Sequence, residues 1–228
     1  MEATSNAVVV MFPLRGEWVA VRTPAHRIPS HGTDMLGQRY AFDFVRPDHR
    51  RGLHLHPGGV LRAALFGVRT RDHYGWGQPV HAAFDGVVVA AVDRMAERAR
   101  VHMVGELVHT IRTTVGFDPA EVGVEAVAGN HVIVQGADAC ALFAHLAPGT
   151  VLVTVGQRVR AGQVVGRVGH TGNSTAPHLH FQLMDSADPL RAKGVPCAFE
   201  EYLARRDGGW ERVGRGIPGR YERIRGPD

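Results

Sequence analysis

HTGNSTAPHLHFQL, residues 170–183, decides how this chain is read. It opens on a Gly-Asn-Ser-Thr turn and closes on two histidines separated by one leucine. A strand repeats its side-chain direction every two residues, so His178, His180 and Gln182 share one face and Leu179, Phe181 and Leu183 the other. The apolar face belongs to a core. The imidazoles face something else.

Outward from this stretch the chain is built of short valine runs punctuated by glycine: FDGVVVAAV (84–92), HVIVQG (131–136), CALFAHL (140–146), TVLVTVGQRV (150–159) and GQVVGRVG (162–169). Valine favours the pleated sheet and glycine supplies the turns, which predicts a mainly β fold of short hairpins, an antiparallel sheet of sandwich-like or barrel-like form. GQPVHAAFDGVVVAA from Gly77 and GQRVRAGQVVGRVG from Gly156 share a Gly-Gln-x-Val-x-Ala start and suggest two related hairpin units. Two segments interrupt the pattern. Residues 46–76 read as a long loop with a helical turn around GGVLRAALFG, and residues 93–128 contain DRMAERARVHMVGELVHTIRTT, whose apolar spacing predicts an amphipathic helix. Both are expected to flank a site.

Composition fits a globular protein of 228 residues, with 44% hydrophobic and 21% charged residues. The formal charge is +4, and residues 205–228 supply +3 of it through seven arginines against four acids. The rest is nearly neutral, which argues against a nucleic-acid partner. This basic tail, 201–228, is expected to be a solvated, partly disordered extension of a single domain over 1–200 whose core runs about 27–45 and 75–190. Cys140 and Cys197 stand 57 positions apart and read as two buried thiols. No run reaches the roughly 18 apolar residues of a membrane span, and the first residues carry no basic, apolar, small-residue leader pattern. The expectation is a cytoplasmic chain as written, exported or wall-associated if a leader has been removed.

Upstream, YAFDFV (40–45) places an aspartate between two phenylalanines. As a strand it sets Tyr40, Phe42 and Phe44 on one face and Asp43 on the other, where a carboxylate needs a partner. His31 on the preceding loop, Asp43 and His180 together make two imidazoles and one carboxylate, a set suited to one Zn²⁺ per chain with a fourth position open to water. His178, on the same face as His180, and His145 in LFAHL are then placed to handle protons and support an oxyanion.

The blocks GQPVHAAFDGVVVAA, GNHVIV, LFAHL and VTVGQRVRAGQVVGRVGHTGNSTAPHLHFQL resemble the lysostaphin/LytM-type zinc metallopeptidases over about 75–185, with HGTD…YAFDF extending the likeness upstream. The resemblance implies the duplicated hybrid motif fold and hydrolysis of peptide bonds in peptidoglycan cross-links or stem peptides. It makes His180 a zinc ligand, His178 and His145 the catalytic histidines, and maps the family's remaining His and Asp ligands onto His31 and Asp43. The chain departs from the family's His-x-x-x-Asp motif, because His31 and Asp43 are twelve apart while Asp34 is three from His31. Asp43 is preferred for its apolar strand-like setting, with Asp34 and His26 as the alternatives.

The leading expectation is a zinc metalloendopeptidase acting on a peptide or peptidoglycan substrate. The alternative is a non-catalytic or regulatory member of the same fold, acting as a binding module. A swinging-arm carrier also uses paired valine hairpins but needs a lysine at a hairpin tip, and the single lysine, Lys193, lies outside every hairpin. The remaining histidines, among them His49, His54, His56, His73, His81, His102 and His109, are expected on loops or satisfied surfaces, without a second metal site at HLHP (54–57). Oligomeric state is not legible.

Overall fold

Valine pairs and glycine-bounded turns make the chain mainly β in the computed structural model, which describes residues 7–102 and 123–227. In order these are β1 (Val8–Val10), β2 (Gly16–Arg22), β3 (Phe42–Val45), α1 (Val60–Phe66), β4 (Val68–Arg69), β5 (Pro79–His81), β6 (Gly86–Val92), β7 (Arg100–Val101), α2 (Val124–Ala128), β8 (Asn130–Gln135), β9 (Cys140–Leu146), β10 (Arg158–Val159), β11 (Val164–Arg167), β12 (Leu179–Met184), β13 (Gly194–Val195), β14 (Cys197–Arg206), β15 (Gly209–Gly216) and β16 (Arg223–Gly226).

The main sheet runs β1-β14-β16-β2-β3-β12-β9-β8-β6-β10, with β13 on β12 and β15 on β14. It is open, with β1 and β10 as its ends, and so is not closed into a barrel. The sequence echo has a structural meaning. Its first copy holds β5 and β6, its second holds β10 and β11, and the copies pair crosswise: β5 with β11, and β6 with β10.

β12 is central, antiparallel to β3 on one side and to β9 on the other. Its alternation is as expected: Leu179, Phe181 and Leu183 are fully buried in the main core, while His180 and Gln182 face the other way. Phe42 and Phe44 join the core, and Tyr40 instead ends a short 3-10 segment, Met35–Tyr40. Phe12 meets Phe44 and Phe199 edge-on with ring centroids 5.1 and 4.9 Å apart. Such pairs add about 0.5–1.5 kcal/mol each beyond area burial. This aromatic floor fixes β3 and β12 side by side.

Three expectations are corrected. The basic tail is not a disordered extension: β14, β15 and β16 form a hairpin and an added strand that reach β2. Tyr202, Ala204 and Ile224 are buried there, while the arginines alternate outward, so the charge count hid a strand period. Several arginines lie over aromatic rings, Arg225 at 4.4 Å from the Trp210 centroid, which offsets their crowding. Second, residues 93–101 are not the start of a helix; 93–99 carry no regular element and lead into β7, and the remainder of that predicted helix, with His109, lies outside the described residues. The turn expected around GGVLRAALFG does form, as α1 between Gly59 and Gly67. Third, His81 lies buried on β5 rather than on a loop or surface, whereas His73 is on a loop as expected but is buried there. Cys140 and Cys197 are buried free thiols.

His73 has a measurable consequence. Burial pushes its pKa down to about 4, against hydrogen bonds to the Arg69 and Thr70 carbonyls. Between the ordinary histidine value near 6.5 and pH 4 the unfolded chain binds the extra proton and the folded chain does not. Stability is therefore intact above about pH 6.5 and declines as pH falls through that window, by up to about 3 kcal/mol for this residue. Urea unfolding of wild type and His73→Gln at pH 7.5 and 4.5 should show a smaller acid loss in the variant; equal losses would refute the assignment.

Candidate metal centre

The register of β3, β12 and β9 assembles the site. Asp43 of β3 and Ala144 of β9 both lie opposite His180. His31 arrives from the loop after β2, its Nε2 3.0 Å from Asp43 Oδ2, and His180 Nδ1 is 2.9 Å from Asp43 Oδ1. One donor atom from each of His31, Asp43 and His180 lies within 4.8 Å of the others, the single such group among the described residues. The structure thus brings His31 and Asp43 together across a twelve-residue separation. Asp34 does not enter; its carboxylate pairs at the surface with Arg39 Nη1 at 2.8 Å. His26 is exposed and hydrogen-bonds Arg220, so it does not enter either.

His145 reaches the site by breaking the strand rule. Regular alternation would put it on the side of Phe143, opposite the His180 face, but its φ of +62° turns the backbone locally into the left-handed region. Its ring centroid lies 4.7 Å from that of His178 and 5.8 Å from that of His180. A non-glycine residue in that region stores roughly 1–3 kcal/mol of strain, held by surrounding structure. The holding contact is Nδ1 of His145 to the Thr171 carbonyl, 2.9 Å. Behind it Gly172, at φ +66°, passes so near Gly129 that a Cβ on Gly172 would lie 2.4 Å from the Gly129 nitrogen. Only glycine fits this crossing.

Hydrogen bonds around the rim decide which ring nitrogens are free. Gln182 Nε2 donates to the Leu36 carbonyl at 2.7 Å, so its Oε1 faces His180 Nε2 at 2.8 Å and accepts that N–H. Ser30 Oγ donates to the Gln38 carbonyl and so accepts from His31 Nδ1 at 3.0 Å. In their neutral forms both rings then aim a lone pair at the carboxylate of Asp43. Three electron-rich donors converging at hydrogen-bond distance require either added protons or a shared cation. The donor set therefore fits a metal such as zinc, held by His31, Asp43 and His180.

His178 is oriented in the same way. Its Nδ1 donates to the Ala176 carbonyl at 2.7 Å and lies 3.1 Å from Ser174 Oγ, which leaves Nε2 facing Asp43 Oδ1 at 3.5 Å. Ser174 is itself fixed by His170 Nδ1 at 3.0 Å, and Arg98 Nη2 holds both His170 Nε2 and the Ser174 carbonyl. Sequence reasoning did not find Ser30, Arg98, His170 or Ser174 as supports. Ser174 lies inside the decisive stretch, but Arg98 gives no local signal at all.

The electrostatics separate the histidines. Burial raises the Asp43 carboxyl, but the His31 and His178 rings and hydrogen bonds outweigh it and hold it well below the usual range. Burial, aided by His178 and His180, holds His145 well below the ordinary value and so neutral. Burial works against the proton on His178 too, yet facing Asp43 leaves its affinity raised. Burial likewise lowers His31 despite Asp43. The cleft beside these groups, about 300 Å³, continues onto an apolar wall that includes Val127, Leu142 and Ala144.

Residues 114–192, which contain His145, His178 and His180, match Peptidase family M23. Over that segment, about a third of the chain, the sequence is similar to M23 peptidases. The M23 match stops short of His31 and Asp43, which geometry alone joins to it. Among curated relatives, the chain is 63% identical over 47 residues to glycyl-glycine endopeptidase ALE-1 of Staphylococcus capitis, covering 21% of this chain and 13% of that protein. It is 41% identical over 74 residues to peptidoglycan DD-endopeptidase ShyA of Vibrio cholerae, covering 31% and 17%. The matches thus span less than a fifth of the length of these relatives. Among solved structures, the catalytic domain of lysostaphin from Staphylococcus simulans is 28% identical, with a TM-score of 0.33 over 57% of this chain and 80% of that one.

Proposed function

We propose that this protein is a zinc-dependent metalloendopeptidase acting on peptides of peptidoglycan. The observation that carries the reading is the convergence of two oriented imidazole lone pairs and one carboxylate, with two further buried histidines beside them. The M23 segment and the endopeptidase relatives support it.

His31, Asp43 and His180 hold the metal, which when bound supplies Lewis acidity toward a peptide carbonyl and an attacking water. The chain's own groups do the rest. His145 enters neutral, with Nδ1 tied to Thr171, so Nε2 can accept a proton in the cleft. His178, with Nδ1 tied to Ala176, presents Nε2 toward the site, where its protonated form can meet the developing oxyanion or the departing amine. Both rings are locked before substrate arrives, so little reorganisation is needed. The wall of Val127, Leu142 and Ala144 gives the cleft an apolar side next to these groups.

Elemental analysis of purified protein, followed by incubation of the zinc-loaded protein with purified peptidoglycan and mass spectrometry of released peptides, tests the reading. About one zinc per chain and new amino termini within the peptide part are expected. Peptidoglycan left intact by fully loaded protein would refute the peptidase and favour a binding module.

A further inference from the structure

The proposed cleft has an uneven charge. Among its described lining residues Asp43 is the one carboxylate and Arg22 the one permanently charged cation, and they cancel. A divalent ion on Asp43 would leave the cleft with two uncompensated positive charges before substrate enters, which favours an anionic group on the ligand.

Arg22 is placed to meet such a group. It sits opposite Asp43 across the β2–β3 ladder, at an irregularity in the register. Its Nε lies 3.4 Å from Asp43 Oδ2, and its side chain is 48% exposed. That contact is long for a charge-assisted bond, which runs about 2.7–2.9 Å. A carboxylate already facing His31 and His180 and committed to a cation has little charge left to share. Arg22 lines the cleft and is half-exposed, and a guanidinium carries the planar fork of donors that takes up a carboxylate in two parallel bonds. The wall of Val127, Leu142 and Ala144 offers no polar side chain and suits an aliphatic group. A glycine-only peptide segment supplies neither feature.

We infer that the cleft takes peptides bearing a free carboxylate beside the scissile bond, held by Arg22, with an aliphatic side chain against Val127, Leu142 and Ala144. The assignment rests on the peptidase reading for its scissile bond, but carboxylate binding can be measured without cleavage. The test uses an alanine-rich peptide with a free carboxyl terminus, its terminal amide and pentaglycine. Binding to zinc-loaded His178→Ala protein is followed by calorimetry, and cleavage by wild type and Arg22→Gln is followed by mass spectrometry.

The free acid should bind about tenfold more tightly than the amide, a difference of about 1.4 kcal/mol, and pentaglycine should bind more weakly than both. In cleavage, the acid-over-amide ratio in kcat/KM should fall close to one in Arg22→Gln with its zinc content unchanged. Equal binding of acid and amide overturns the inference. So does a preference that survives Arg22→Gln, and so does loss of zinc in that variant, which would make Arg22 a support for Asp43. If the acid preference in binding stands while wild type cuts none of the peptides, the peptidase reading fails and the carboxylate site survives.

Discussion

Asp43→Ala and His180→Ala should each strip the protein of zinc, with affinity down by more than roughly a hundredfold, and abolish peptide cleavage. Losing a group that only orients a ligand costs about 10–100-fold, so losing the ligand itself costs more. Asp43 is the centre of the arrangement: its two oxygens face His31, His180 and His178, and its removal leaves two ring lone pairs facing each other with no anion between them. Asp34→Ala is the control, because that carboxylate is paired with Arg39 at the surface and touches none of the site. Zinc content by elemental analysis, with circular dichroism to confirm folding, reads the result. Zinc retained in Asp43→Ala, or lost in Asp34→Ala, would move the site to the alternative aspartate.

His178→Ala should behave in the opposite way, keeping its zinc while kcat falls by about 10²–10⁴-fold, the range for removal of a positioned acid–base group. The ring is not a member of the ligand set, and its Nδ1 is occupied by Ala176. KM should move little, since His178 acts on charge that develops during reaction rather than on the bound peptide. Zinc titration alongside steady-state cleavage distinguishes the roles of two histidines that stand two residues apart. Loss of zinc from His178→Ala with retention in His180→Ala would exchange their assignments.

Much of this was legible because a period of two is local. Leu179, Phe181 and Leu183 against His178, His180 and Gln182 needed only neighbouring residues, and so did Phe42 and Phe44 against Asp43. Asp43 and His180, 137 residues apart, were joined in one candidate ligand set by chemistry and by the family resemblance, while the pairing of their strands was not foreseen. What stayed hidden depends on tertiary contact. His145 lies in the site through a positive φ that the sequence does not encode locally. Arg98 is recognisable only once residues 170–174 fold against it. The tail misled because seven arginines outweighed, in a composition count, the buried Tyr202, Ala204 and Ile224 that fold it into the sheet.

The position of β12 between β3 and β9 sets when the candidate site can assemble. Its neighbours come from segments about a hundred residues apart in the chain, so the site closes only after long loops have been closed, and such non-local topologies fold on the millisecond-to-second scale. During synthesis a ribosome that has passed β3 and β9 has produced two of the three strands and no site. Only insertion of β12 completes it, by the same hydrogen bonds that join the two halves of the sheet. A partly made or partly unfolded chain thereby lacks the assembled metal site. In refolding experiments the metal should enter with the final cooperative phase, so zinc uptake would serve as a clock for the last step of folding.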